Sequence, residues 1–127
     1  MTEYVLDASA LLAMLNAEKG AELVQELLPE SVVSTVNLAE VVTRLSAIGM
    51  PELDIRNALS LLGLVIVSYD EKQAYQTGFI QVNGKSHGLS LGDRACLSLA
   101  KEVGATAVTA DRAWIDLEIG IPIRLIR

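Results

Sequence analysis

The chain has 127 residues, a formal net charge of −6 and 51% hydrophobic residues, a size that suits one domain over residues 1–127 with a single sizeable core. Asp7, Asn16, Glu22 and their like interrupt every apolar run before the ~18–20 residues of a membrane span, and the acidic balance excludes a surface that grips polyanions everywhere. Cys96 is the only cysteine, so no intrachain disulfide can form, and Met1-Thr2-Glu3-Tyr4 lacks the basic start of a secretion signal; a reducing cytoplasm is the expected setting, with no membrane partner.

Tyr4-Val5-Leu6 reads as a short buried strand that ends in Asp7. Ala8–Leu15 follows as a helix facing inward with Ala10, Leu11, Met14 and Leu15, and Ala21–Leu28 as a second, ended by Pro29. Val32-Val33 makes a second strand. Ser34 and Thr35 are natural caps for a helix from Asn37 to Ile48 with Leu38, Val41, Val42, Leu45 and Ile48 as its buried face. Asp54 reads as the cap of a helix carrying Ile55, Ala58, Leu59 and Leu62, which Gly63 ends.

Leu64-Val65-Ile66-Val67 is the clearest strand in the sequence. Glu71 to about Gln81 reads as helical despite Gly78, and Asn83–Gly88 as a loop. Ser90 then opens a helix in which Leu91, Ala95, Cys96 and Leu99 recur at helical spacing on a buried face. Ala107-Val108-Thr109, a short helix over Arg112–Leu117, and Ile121–Ile126 complete the chain, and Pro122 suits an edge or a strand start. The alternation of strands with helices predicts an α/β domain whose parallel sheet has helices on both faces.

Four carboxylates occupy equivalent places in this pattern. Asp7 follows the first strand directly, and Asp111 lies two residues past Thr109. Glu40 stands in the second turn after Val32-Val33, and Asp93 in the first turn of the helix that Ser90 opens. Asp93 has a plain structural explanation as an acid at the positive end of a helix dipole. In an open parallel sheet, however, the loops at the C-terminal strand ends build the site where strand order reverses, so all four can share one crevice. Converging carboxylates repel unless protons or a cation intervene. Oxygen-only ligands suit Mg²⁺ or Mn²⁺, which activate a water and stabilise charge on a phosphoryl group.

Four segments then carry a family resemblance: Tyr4–Ala10, Asn37-Leu38-Ala39-Glu40-Val41, Leu89–Leu97 with Ser90, Gly92 and Asp93, and Thr109-Ala110-Asp111-Arg112-Ala113-Trp114. In this order and over nearly the whole chain they resemble PIN-domain ribonucleases, nearest to the VapC toxins of bacterial toxin–antitoxin pairs. The resemblance implies a three-layer α/β/α domain around a central parallel sheet of about four to five strands. It implies a Mg²⁺-dependent endoribonuclease, with Mn²⁺ as a substitute, cutting transfer or ribosomal RNA. It also implies a homodimer and a cognate antitoxin protein that blocks the site. Carried over by position, Asp7, Glu40, Asp93 and Asp111 are the catalytic and metal-binding quartet, with Asp7 and Asp93 foremost as direct metal ligands.

Around the quartet, Ser9 and Thr109 either hold an acid or a metal-bound water in place or cap a helix and a turn. Arg94 and Arg112, each beside a quartet acid, are candidates for the RNA backbone or an antitoxin carboxylate, set against ordinary surface pairing. Arg44, four residues after Glu40, is explained by an i,i+4 pair or by phosphate steering. His87 is peripheral, Cys96 is a small buried hydrophobe, Trp114 anchors its short helix, and Asp116 is solvated. With one Phe, three Tyr and one Trp, the chain has no row of aromatics to stack bases, so RNA selection would rest on shape and backbone contacts.

Two other readings compete. One is another Asp- and Mg²⁺-dependent phosphoryl-transfer enzyme such as a phosphatase. An aspartate-nucleophile phosphatase would carry a second Asp where Ser9 stands, and a receiver domain would need a lysine after Ala107–Thr109. The other is a non-catalytic α/β binding module in which the acids hold a structural cation. Zinc hydrolysis fails for want of ligands, and no phosphate-binding glycine loop of the Walker type is present.

Overall fold

A computed structural model describes residues 2–81 and 88–127. Strand β1 (Tyr4–Leu6) leads into helices α1 (Ala8–Leu15) and α2 (Ala21–Leu27), then β2 (Ser31–Ser34), α3 (Thr35–Ala47) and α4 (Glu52–Ser60). Next come β3 (Val65–Val67), α5 (Glu71–Phe79), α6 (Leu91–Val103), β4 (Thr106–Thr109), a 3₁₀ turn over Arg112–Asp116, and β5 (Ile123–Leu125). The five strands form one sheet in the order β3-β2-β1-β4-β5, and every neighbouring pair is parallel. Among the described residues no helix is long and apolar enough to cross a membrane.

The three central strands divide the core by simple alternation. Leu6, Val33 and Val108 face α1 to α4, where they meet Leu11, Met14, Val24, Val41, Leu45 and Ile55. Val5, Val32 and Ala107 face the other way, onto Cys96, Leu97, Leu99 and Ala100 of α6 and onto Trp114. A strand's two-residue period therefore serves both layers, and these strands read as continuous apolar runs because neither face meets water. Helices on both faces of a parallel sheet make the expected three-layer α/β/α domain.

Several local expectations are corrected. Asp54 does not cap α4: the helix starts two residues earlier, with Pro51 at its N-cap and Glu52 and Asp54 in its first turn. Proline's fixed φ suits such an entry, and the acids face the positive helix end. α2 stops at Leu27, and Leu28–Glu30 continue as a 3₁₀ turn that accommodates Pro29 in its first positions. On α3, Val41 and Leu45 are buried but Val42 and Ile48 are exposed, because the apolar stripe is wider than the surface that α3 covers. Leu91 is exposed as well, being the first residue of α6. The apolar run of β3 belongs to an edge strand whose Val65 and Ile66 are exposed. The last strand shrinks to Ile123–Leu125, with Pro122 before it accepting a hydrogen bond from Ala107.

α5 was expected as a helix over this stretch, but not its mode of attachment. Its buried residues are Gln73 and Thr77. Gln73 donates to Glu102 at 2.9 Å, and Ser98 approaches the Gln73 carbonyl at 3.4 Å. Arg94 donates to the Thr77 carbonyl at 3.5 Å. The seam between α5 and α6 is polar. The expected loop at Asn83–Gly88 lies outside the described residues except for Gly88, and so does His87.

Candidate active site

The chain runs outward through β1, β2 and β3, then returns to place β4 on the other side of β1. This reversal makes β1 and β4 the switch point, where a crevice opens beyond the C-terminal strand ends. Asp7 follows β1 and Asp111 follows β4. The helices that return from strands start at this same rim, so Glu40 near the start of α3 and Asp93 near the start of α6 arrive there too. A cleft of about 730 Å³ is lined by Asp7, Glu40, Asp93 and Asp111 together, with Ser9, Asn37 and Arg44 among its other walls.

Three of the four acids also cap helices. Asp7 accepts from the Ala10 N–H of α1 at 2.8 Å. Asp93 and Ser90 form a capping box, in which Asp93 Oδ2 accepts from the Ser90 N–H at 2.9 Å. Asp111 accepts from the Ala113 N–H at 3.0 Å at the 3₁₀ turn. Asp93 therefore caps α6 and also lines the cleft. Each cap engages one carboxylate oxygen, and Asp93 Oδ1, Asp111 Oδ2 and Glu40 Oε2 accept no hydrogen bond from the described residues.

Asp7 is held most tightly. Ser9 donates to its Oδ1 at 2.7 Å, and Thr109 donates to its Oδ2 at 2.5 Å. The Ala110 and Asp111 N–H groups in turn donate to Ser9 at 2.9 Å and to Thr109 at 3.0 Å. Both hydroxyl protons point at Asp7, so the 3.3 Å approach of Ser9 to Thr109 is a contact and not a further bond. These hydroxyls do both: they donate to the Asp7 carboxylate, and they accept the backbone N–H groups of the turn at Ala110 and Asp111. Burial pushes the Asp7 carboxyl up to about 6; hydrogen bonds from Thr109, Ser9 and Ala10 oppose that rise, and the Asp93 charge adds to it.

The family model of the PIN domain matches residues 4–119. The chain belongs to the PIN-domain family. No curated protein matches this PIN domain in sequence. Its fold is similar to that of DNA-bound VapBC from Salmonella typhimurium, at 20% identity over 100% of both chains with a TM-score of 0.81. It is similar to a toxin–antitoxin complex from Klebsiella pneumoniae, at 14% identity over 98% of each chain and a TM-score of 0.75. It is also similar to VapC20 of Mycobacterium tuberculosis, a sarcin–ricin-loop-cleaving toxin, at 15% identity over 94% of this chain and 100% of that one, with a TM-score of 0.71.

The PIN domain's cleft offers oxygen donors, the class that hard divalent cations prefer. Among the described residues no three acidic, histidine or cysteine side chains are grouped to hold an ion by themselves. Mg²⁺ is commonly held by only one or two carboxylates and keeps several waters. The residues therefore fit an ion that the protein grips through few direct bonds, with Glu40, Asp93 and Asp111 each offering an oxygen free of hydrogen bonds from the described residues.

The cations divide. Arg44 lines the cleft, and the expected i,i+4 pair with Glu40 is not formed among the described residues. Arg94 turns to the Thr77 carbonyl and Arg112 to the Arg127 carbonyl, the latter at 3.1 Å; neither lines the cleft. Cys96 is fully buried behind the acids, and burial raises its thiol pKa well above the ordinary value, with the Asp7, Asp93 and Glu40 charges adding. Trp114 is buried against the sheet as expected.

Two residues of the site, Asn37 and Gly92, stand within the segments that carry the resemblance but receive no role from sequence reasoning. Asn37, 1% exposed on the first turn of α3, donates to Glu40 Oε1 at 2.9 Å. Gly92, beside Asp93, lies so close to Glu40 that a Cβ there would stand 2.2 Å from Oε1. The available sign of Asn37 was an amide three residues before an acid at the entrance of an otherwise apolar helix.

Proposed function

We propose that this PIN domain is a metal-dependent endoribonuclease, using Mg²⁺ or Mn²⁺, and the toxin of a type II toxin–antitoxin pair that hydrolyses phosphodiester bonds in tRNA or rRNA. The observation that carries the reading is the gathering of Asp7, Glu40, Asp93 and Asp111 on one cleft at the strand-order switch point. A structural role for each acid as a cap accounts for one oxygen apiece on Asp7, Asp93 and Asp111, and for nothing on Glu40.

A bound divalent cation would supply a more acidic water and offset the charge that builds on the phosphate during in-line attack. The chain's own residues then divide the remaining work. Asp7, fixed by Ser9, Thr109 and Ala10, gives the site a ligand of defined direction. Its raised pKa means that metal must displace a proton from it below about pH 6. Glu40 and Asp111, with an uncommitted oxygen each, would offer that oxygen to the cation or to the water it activates. Arg44 holds a neighbouring phosphate of the RNA at the cleft wall.

An antitoxin partner is supported by the likeness to VapBC and to a toxin–antitoxin complex. A homodimer is supported by a groove of about 680 Å³ between α3 and α4, where Leu38, Val42, Ile55 and Leu59 form an apolar lining. A second copy of this face would cover it.

Purified antitoxin-free protein incubated with total cellular RNA tests the reading, comparing Mg²⁺ with EDTA and wild type with Asp7→Asn. Discrete new RNA ends that need both the metal and Asp7 are expected. Ends that persist in EDTA or in Asp7→Asn, or no ends at all, would overturn it.

A further inference from the structure

We propose that Asn37 is a positioning residue for Glu40, and that Gly92 is the space kept open for the carboxylate so positioned. The proposal rests on the cleft being a metal-dependent nuclease site. Asn37 Nδ2 donates to Glu40 Oε1 at 2.9 Å and to the Gly92 carbonyl at 3.0 Å. This fixes the orientation of the amide, since the flipped side chain would set its oxygen against two acceptors. One side chain therefore joins α3, which carries Glu40, to the first turn of α6, which carries Asp93.

The rest of the amide gains nothing from burial. Asn37 is 1% exposed and its Oδ1 has no hydrogen-bond partner among the described residues. A buried acceptor left unsatisfied is a cost to folding, and an apolar residue of similar size would avoid it. The asymmetry, a fully used donor end and an unused acceptor end, fits a group retained for what its N–H groups hold.

Gly92 closes the other side. A Cβ there would lie 2.2 Å from Oε1 and 2.4 Å from Cδ and Oε2 of Glu40, well inside contact distance. Gly92 is helical and does not need glycine for its backbone conformation. Alanine would favour the helix, so the glycine serves the carboxylate. Wedged between an amide and a backbone, Glu40 keeps Oε2 free of hydrogen bonds from the described residues. Its placement relative to Asp93 is set by the brace between the two helices.

The test measures Mn²⁺ affinity by electron paramagnetic resonance, alongside RNA cleavage and thermal unfolding, in wild type, Asn37→Ala, Gly92→Ala, Glu40→Gln and the Asn37→Ala/Glu40→Gln double variant. Both alanine variants should weaken Mn²⁺ binding and cleavage by about 10-fold or more, as loss of a partner that orients a metal ligand does. In the Glu40→Gln background Asn37→Ala should cause no further loss, which separates action through Glu40 from a general role in packing. Gly92→Ala perturbs Glu40 without removing a buried amide, so it decides the matter if Asn37→Ala fails to fold. Unchanged affinity and cleavage in folded Asn37→Ala, or an equal loss with and without Glu40, would overturn the role of Asn37 alone. A wild-type protein that neither binds Mn²⁺ nor cleaves RNA would instead refute the nuclease reading and this proposal with it.

Discussion

Thr109 donates its hydroxyl to Asp7 Oδ2 at 2.5 Å, although 102 residues separate the two in the chain. The bond spans β1 and β4, the strands that flank the switch point, and Thr109 is fully buried. Replacing Thr109 by Val keeps the shape, removes the donor to Asp7 and takes away the acceptor of the Asp111 N–H. The expected loss is about 1–3 kcal/mol of stability in chemical denaturation. Since this bond holds the Asp7 pKa down, the acid limb of cleavage should also move to higher pH in Thr109→Val.

Asp7 itself trades stability for charge. Its pKa rises from an ordinary 3.8 to about 6, so the folded state binds its proton more tightly than the unfolded chain does. The associated stability is present in full below pH 3.8 and is lost as pH rises through about 6. Asp7→Asn should lose cleavage, and in metal-free protein, because its one amide oxygen cannot accept from both Thr109 and Ser9, only the pH-dependent part of the cost of ionising Asp7 is relieved. Urea titrations between pH 4 and 7 should show wild type losing stability relative to the variant as pH rises. Added Mg²⁺ should oppose that loss, stabilising wild type only.

Arg44 tests the substrate side of the cleft. Arg44→Ala should raise KM and leave kcat nearly unchanged, because the residue touches none of the four acids among the described hydrogen bonds and ion pairs. The salt dependence of RNA binding should become shallower by about 0.7 in log–log slope for one lost phosphate contact. An unchanged slope would place the cation outside the RNA path.

The groove between α3 and α4 gives a prediction that is independent of catalysis. Val42 is exposed on its wall, so Val42→Glu removes no core packing. Sedimentation should show wild type as a dimer and Val42→Glu as a monomer with the same circular dichroism. A wild-type monomer, or a variant dimer, would exclude this face.

The positions of the acids were legible because each follows a recognisable strand or opens a recognisable helix. Asp7 after Tyr4-Val5-Leu6 and Asp111 after Thr109 needed only the parallel-sheet rule to place them together. Asn37 was not legible in that way, because its two acceptors are one turn along α3 and 55 residues away on α6. Gly92 was hidden for a related reason: its meaning is a distance to Glu40, which no local pattern contains. The exposed Val65 and Ile66 show a different limit. An apolar run shows that a strand forms, but whether a neighbour covers it depends on strand order.

The polar seam under α5 has a consequence for how the molecule comes apart. Gln73 and Thr77 bury little apolar area, and Gln73 Oε1 and the Thr77 hydroxyl lack partners among the described residues. A helix held by hydrogen bonds that water can replace separates at lower free energy than one held by leucines. The amides of α5 should therefore exchange with deuterium well before those of α1 and the sheet strands.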